Sequence, residues 1–110
     1  MDSYDFATVS GPYVGIAITD PSELEFLTSR IKESFPGMRV YQDYVRKLPT
    51  GEVYSTQIQN LSNRDYDVLW WVIQELCHRG WEPLGVAPLV SGGVTRTIFV
   101  YQFRRRVADS

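Results

Sequence analysis

Tyr13-Val14-Gly15-Ile16-Ala17-Ile18-Thr19-Asp20-Pro21-Ser22-Glu23 changes character halfway along, and that change decides the fold. Residues 13–19 form a short apolar run with β-branched members, which predicts a strand. Asp20 can then cap a helix, Pro21 suits its first turn, and Glu23 supplies the other half of a capping box. The helix is expected to run to about Ser34, because Pro36-Gly37 stops it. Leu24, Leu27, Ile31 and Phe35 recur at helical spacing and share one face.

Working outward, residues 38–48 and 52–59 are rich in Val, Tyr, Thr and Ile and flank Pro49-Thr50-Gly51, the pattern of a β-hairpin. Ser62 with Asp65 three residues on starts a second helix, which continues through Leu69, Val72, Ile73 and Leu76 and stops at Gly80. Residues 81–90 and 94–105 make a second hairpin around Ser91-Gly92-Gly93. Residues 1–10 are polar and unpatterned and, with 107–110, are expected to be flexible ends. The order β-α-β-β-α-β-β predicts one α+β domain over residues 1–110. Its expected form is a ferredoxin-like βαββαβ unit with an additional C-terminal strand, the sheet antiparallel and both helices on one face.

The segment Leu76-Cys77-His78-Arg79-Gly80-Trp81-Glu82-Pro83-Leu84-Gly85-Val86, followed by Thr97-Ile98-Phe99-Val100-Tyr101-Gln102-Phe103-Arg104, resembles small bacterial domains of unknown function in which a helix ends in Gly-Trp-Glu or Gly-Trp-Gln. It is also similar to the corresponding stretch of the raftlin repeats. The resemblance covers roughly the last 45 residues and implies half a fold; it implies no activity, cofactor or catalytic residue. Physically, Gly80 can leave the helix at positive φ, and Trp81 then places a large ring beneath it.

Composition narrows the function classes. The chain has 110 residues and a formal net charge of −2, with a pI near 5.3, so bulk attraction to nucleic acid or anionic lipid is not expected. Cys77 is the one cysteine, which suits a reducing compartment. The start Met1-Asp2-Ser3-Tyr4-Asp5 lacks the features of a signal peptide, and no apolar run approaches the roughly 20 residues of a membrane span. A cytoplasmic protein without membrane attachment is expected.

Catalytic chemistry is hard to assemble from these residues. With His78 the one histidine, a histidine-rich metal site cannot form within one chain. Cys77 beside it does not make a nucleophile and base, because neighbouring helix residues diverge by about 100°. Asp43, Glu52, Asp65, Asp67, Glu75 and Glu82 are scattered with no spacing that forces a pair together. The expectation is therefore a non-enzymatic protein without cofactor or metal.

Apolar surplus points to assembly instead. Counted from Leu69, Trp71 lies about 200° round its helix, and Phe26 lies about 200° from Leu24 on the first, so both rings are expected to point outward. In the last strand Ile98 and Val100 face one side while Phe99, Tyr101 and Phe103 face the other. Two apolar faces on a sheet whose helices cover one imply an occupant for the second. Phe26, Trp71, Phe99, Tyr101 and Phe103 are the candidate interface, with a second copy of the chain or another protein as partner. The alternative is a small anionic or nucleotide-like ligand, or RNA, held by sheet aromatics and by Arg39, Arg104 and Arg105; the acidic pI argues against nucleic acid.

Overall fold

In the computed structural model, which describes residues 3–11, 14–40, 44–60, 65–90 and 97–107, the first strand lies where none was expected. Ala7 and Val9 turn inward and are buried, Phe6, Thr8 and Ser10 turn outward, and this period of two makes Ser3–Gly11 strand β1. Far from being a flexible end, β1 sits in the middle of the sheet, between β2 (Val14–Ile18) and β7 (Thr97–Val107). The pattern is hard to read because only two of its inward positions are apolar; Ser3, Asp5 and Gly11 occupy the others.

Helix α1 (Pro21–Ser34) begins as its sequence dictates. The Asp20 carboxylate accepts hydrogen bonds from the Ser22 N–H at 3.0 Å and the Ser22 hydroxyl at 2.7 Å. Leu24, Leu27 and Ile31 are buried along one stripe, continued by Phe35. At the far end the Phe35 N–H closes on the Ile31 carbonyl, and Gly37 turns the chain at φ 95°.

The expected strand over 38–48 is two pieces, β3 (Met38–Val40) and β4 (Tyr44–Leu48), both paired with β5 (Gly51–Asn60). Helix α2 (Asp65–His78) follows, then β6 (Glu82–Val90), paired with β7 across an irregularity between Pro83 and Gly85. Tyr13, Asp43, Ser62 as a cap and the Ser91-Gly92-Gly93 turn lie outside the described residues.

The strands form one seven-stranded antiparallel sheet in the order β3-β5-β2-β1-β7-β6, with β4 also on β5. In the β2-α1-β3/β4-β5 portion, β5 returns to lie beside β2 and takes β3 and β4 on its other edge. The sheet as a whole departs from the expected ferredoxin-like order. A ferredoxin-like sheet would set β6 against β2, whereas β1 and β7 come between them and push β6 to the edge. The missed N-terminal strand is the physical reason, because it takes the free edge of β2.

Register fixes the core. Ala7 lies opposite Ile18 and Phe103, Val9 opposite Ile16, Ile16 opposite Thr56, and Val14 opposite Ile58, so all share one sheet face. Both helices pack on that face, α1 through Leu24, Leu27 and Ile31 and α2 through Val68, Leu69, Val72 and Leu76. A methyl group on Gly11 would come within 2.7 Å of Leu69 Cδ2, so its lack of a side chain lets α2 approach β1.

The end of α2 is a Schellman cap. The Trp81 N–H donates to the Leu76 carbonyl at 2.9 Å and the Gly80 N–H to the Cys77 carbonyl at 3.2 Å, with Gly80 at φ 89°. Trp81, 2% exposed, then enters the core beside Leu76.

Two outcomes are expected. Gly80→Ala should lower stability by about 1 kcal/mol, because a Cβ is penalised at positive φ while the site itself is open; an unchanged denaturant midpoint would contradict the cap. Removing residues 1–11 should abolish cooperative thermal unfolding, measured by circular dichroism, since the sheet would lose the strand that joins β2 to β7.

Candidate functional site

Where the start of α1 meets the end of α2, the chain gathers a group of charges around one buried carboxylate. Glu23, in the first turn of α1, has a side chain only 5% exposed. Rather than closing a capping box, it accepts two hydrogen bonds from Arg79, at 2.7 Å from Nε and 3.1 Å from Nη2. Arg105 of β7 also donates to Glu23 and reaches the Asp20 carboxylate at 2.9 Å and Asp5 of β1 at 3.7 Å. Asp5 in turn accepts from the Thr19 hydroxyl at 3.0 Å, and that hydroxyl oxygen accepts the Phe6 N–H. Burial by itself would raise the Asp20 carboxyl, but hydrogen bonds from Ser22, Glu23 and Arg105 outweigh it and hold the group below its ordinary value.

The aromatic rings around this cluster are covered by the same cations. Arg79 lies 3.8 Å above the centre of Phe26, and Arg105 lies 4.7 Å above Trp81. Trp81 Nε1 is buried without a hydrogen-bond partner, so its ring is held by packing and by Arg105. Three carboxylates face two guanidiniums, and the Ser22 and Thr19 hydroxyls are held as donors to Asp20 and Asp5. The arrangement works as a clasp joining β1, α1, the end of α2 and β7.

The residues singled out from the sequence fall into different places. Phe26 is half-buried beneath Arg79 instead of pointing outward. Trp71 is also half-buried, edge-on to Phe35 at 6.1 Å, and links the two helices. The buried stripe of α2 is centred on Val68, Val72 and Leu76, which leaves Trp71 on the flank and turns Trp70 to solvent, 58% exposed. Phe103 is 2% exposed in the core and cannot form a subunit contact on the open side of the sheet. Phe99 and Tyr101 share its face, where Tyr101 packs against the core and Phe99 extends past it, 45% exposed.

The arginines do not converge either. Arg105 is engaged by carboxylates, and Arg104 pairs with Glu82 at 2.9 Å while stacking on Tyr4 at 4.7 Å. Arg39 stands on β3, four strands from β7 and so about 19 Å away. Cys77 and His78 are both exposed on α2, so the thiol lies off the core. Among the described residues no group of His, Cys, Asp and Glu is placed to hold a metal, and no helix is long and apolar enough to cross a membrane.

Two surfaces remain. On the helix side, the sheet continues past α2 as an apolar strip of Val86, Pro88, Phe99 and Tyr101, with Val86 54% exposed. The other face has no helix on it. Its middle consists of small or polar residues, Thr8, Ser10, Gly15, Ala17, Ser55, Gln57 and Gln102, and Ile98 and Val100 form an apolar margin on β7. The open face is therefore less apolar than the last strand alone suggests. Trp70, Val86 and Phe6 were missed; for Phe6 and Val86, the sheet register that displays them is a tertiary fact.

No protein-family model matches the sequence, and no curated protein matches it. Among solved structures the chain is similar to a conserved kinetoplastid-specific protein from Trypanosoma cruzi, with a TM-score of 0.62 and 11% identity, over 96% of this chain and 98% of that one. At that identity the likeness shows the fold.

Glu23→Gln should lower stability by about 2–3 kcal/mol, because Arg79 and Arg105 then lose the buried anion between them. Chemical denaturation of the two proteins checks this; a loss within about 0.5 kcal/mol would place the clasp among ordinary surface ion pairs.

Proposed function

We propose that the protein is a non-enzymatic assembly module that pairs with a second copy of itself through the apolar strip on β6 and β7. The observation that carries this reading is the exposure of Val86 and Phe99, 54% and 45%, on the face that elsewhere forms the core. Large apolar side chains that continue a core face beyond its helix are a surface suited to a partner. The strip carries no charge, so two copies can meet about a twofold axis without setting like charges together.

Strand addition at this edge is disfavoured. Pro83 and Pro88 remove two amide donors from β6, and the irregularity beside Pro83 disturbs its pairing line. Packing of face against face is the mode that remains. The non-enzymatic reading is supported by Cys77 and His78, which are exposed on α2 and diverge by about 100° around it.

Sedimentation at about 20 µM should show a dimer, and Phe99→Asp should reduce it to a folded monomer, since a carboxylate would be stranded in an apolar contact. A wild-type monomer at that concentration contradicts the reading. Phe103→Asp is the contrasting variant and should unfold the chain, because Phe103 is a core residue.

A further inference from the structure

We infer that the open sheet face binds single-stranded nucleic acid, with phosphates drawn to its arginines and a base stacked on Phe6. Register places Arg39, Arg46, Arg104 and Arg106 on this face, and Glu82 is the only acidic residue it places there among the described residues. Arg104 pairs with Glu82, and among the described residues the face still carries an excess of positive charge, in a chain whose net charge is −2. Asp5, Asp20 and Glu23 lie on the helix side, engaged by Arg79 and Arg105.

The relief of the face favours a polynucleotide over an acidic protein. Its middle, from Gln57 across Gly15 and Ala17 to Thr8 and Ser10, has no large side chain, so an extended strand can lie flat across it. Phe6 stands at the margin of this floor directly opposite Arg104 and is 52% exposed; Tyr4, beneath the Arg104 guanidinium, is next in the same row. An exposed ring beside arginines is the combination that stacks a base and holds its phosphate. An acidic peptide would use the arginines and leave Phe6 idle. A second copy of the chain would bring the same arginines against one another, so this face and the apolar strip serve different partners.

The test is fluorescence anisotropy with oligouridylate or oligothymidylate of about 12 nucleotides. Binding is expected with a Kd on the order of 10 µM at low salt. The slope of log K against log salt should be about −2, as for three phosphates on a single strand, Arg104 being engaged by Glu82. Phe6→Ala should weaken binding about tenfold while Phe6→Tyr retains it, and Arg106→Glu should weaken it as well. Phe99→Asp should leave the affinity unchanged, since the assembly strip lies on the other face. Polyglutamate of equal charge should bind more weakly and be indifferent to Phe6→Ala. Absence of oligonucleotide binding, an unchanged affinity in Phe6→Ala, a loss in Phe99→Asp, or polyglutamate bound as tightly would each overturn the proposal, the last in favour of an acidic protein.

Discussion

The buried carboxylate of Glu23 is the contact on which the architecture converges. Removing a carboxylate from water is costly, and the two guanidiniums of Arg79 and Arg105 offset that penalty with directed hydrogen bonds. Each partner comes from a different element, so the pairing fixes more than a local conformation. Arg79 belongs to the cap of α2, and its position depends on Gly80 turning the chain there. Arg105 lies opposite Asp5, so its placement depends on β1 pairing with β7. Glu23 and Asp20 also sit at the positive end of the α1 dipole, where negative charge is favoured. The clasp therefore requires both helix ends and the central strand pair to be in place together, and it couples the strand missed from the sequence to the elements read from it.

Local signals were legible and their long-range consequences were not. Asp20, Pro21 and Pro36-Gly37 mark α1 because capping and helix termination depend on neighbouring residues. Gly80 and Trp81 were readable for the same reason: the cap is a local hydrogen-bond pattern and the ring next to it has one place to go. The β1 strand escaped because Ala7 and Val9 are a weak apolar signal, and burial between two neighbouring strands supplied what alternation did not. Glu23 was assigned to a capping box, which is the local use of a Glu at that position. Its real partners are 56 and 82 residues away in sequence, beyond any spacing rule. The misplaced Trp71 has a simpler cause. A stripe centred on Leu69 rather than on Val68 and Val72 rotates the helix enough to exchange the flank for the outside.

That central strand also decides what the sheet can offer a partner. With β1 and β7 inserted between β2 and β6, the sheet extends toward the β6 edge while α2 packs mainly on β1. Val86 and Phe99 are left uncovered on the core side as a result. The opposite edge carries Arg39 on β3 and Arg46 and Lys47 on β4, and charged edge strands resist pairing with another sheet. Both edges are thus poorly suited to strand addition, which leaves the two broad faces for recognition.

Those faces differ in electrostatics in a way that net charge conceals. The shortest extent of the molecule is 23 Å, whereas the field of an exposed charge decays over about 8 Å at physiological ionic strength. An anion approaching the open face meets the arginines within that distance and is screened from carboxylates beyond the helices. Much of the acidity near the clasp is also spent internally, since Asp5, Asp20 and Glu23 already face guanidiniums. A pI of 5.3 describes the summed titration of the chain and does not determine the potential over one surface. A low pI therefore disfavours nonspecific attraction of nucleic acid by the whole molecule and has little bearing on a face whose own charges are of the opposite sign.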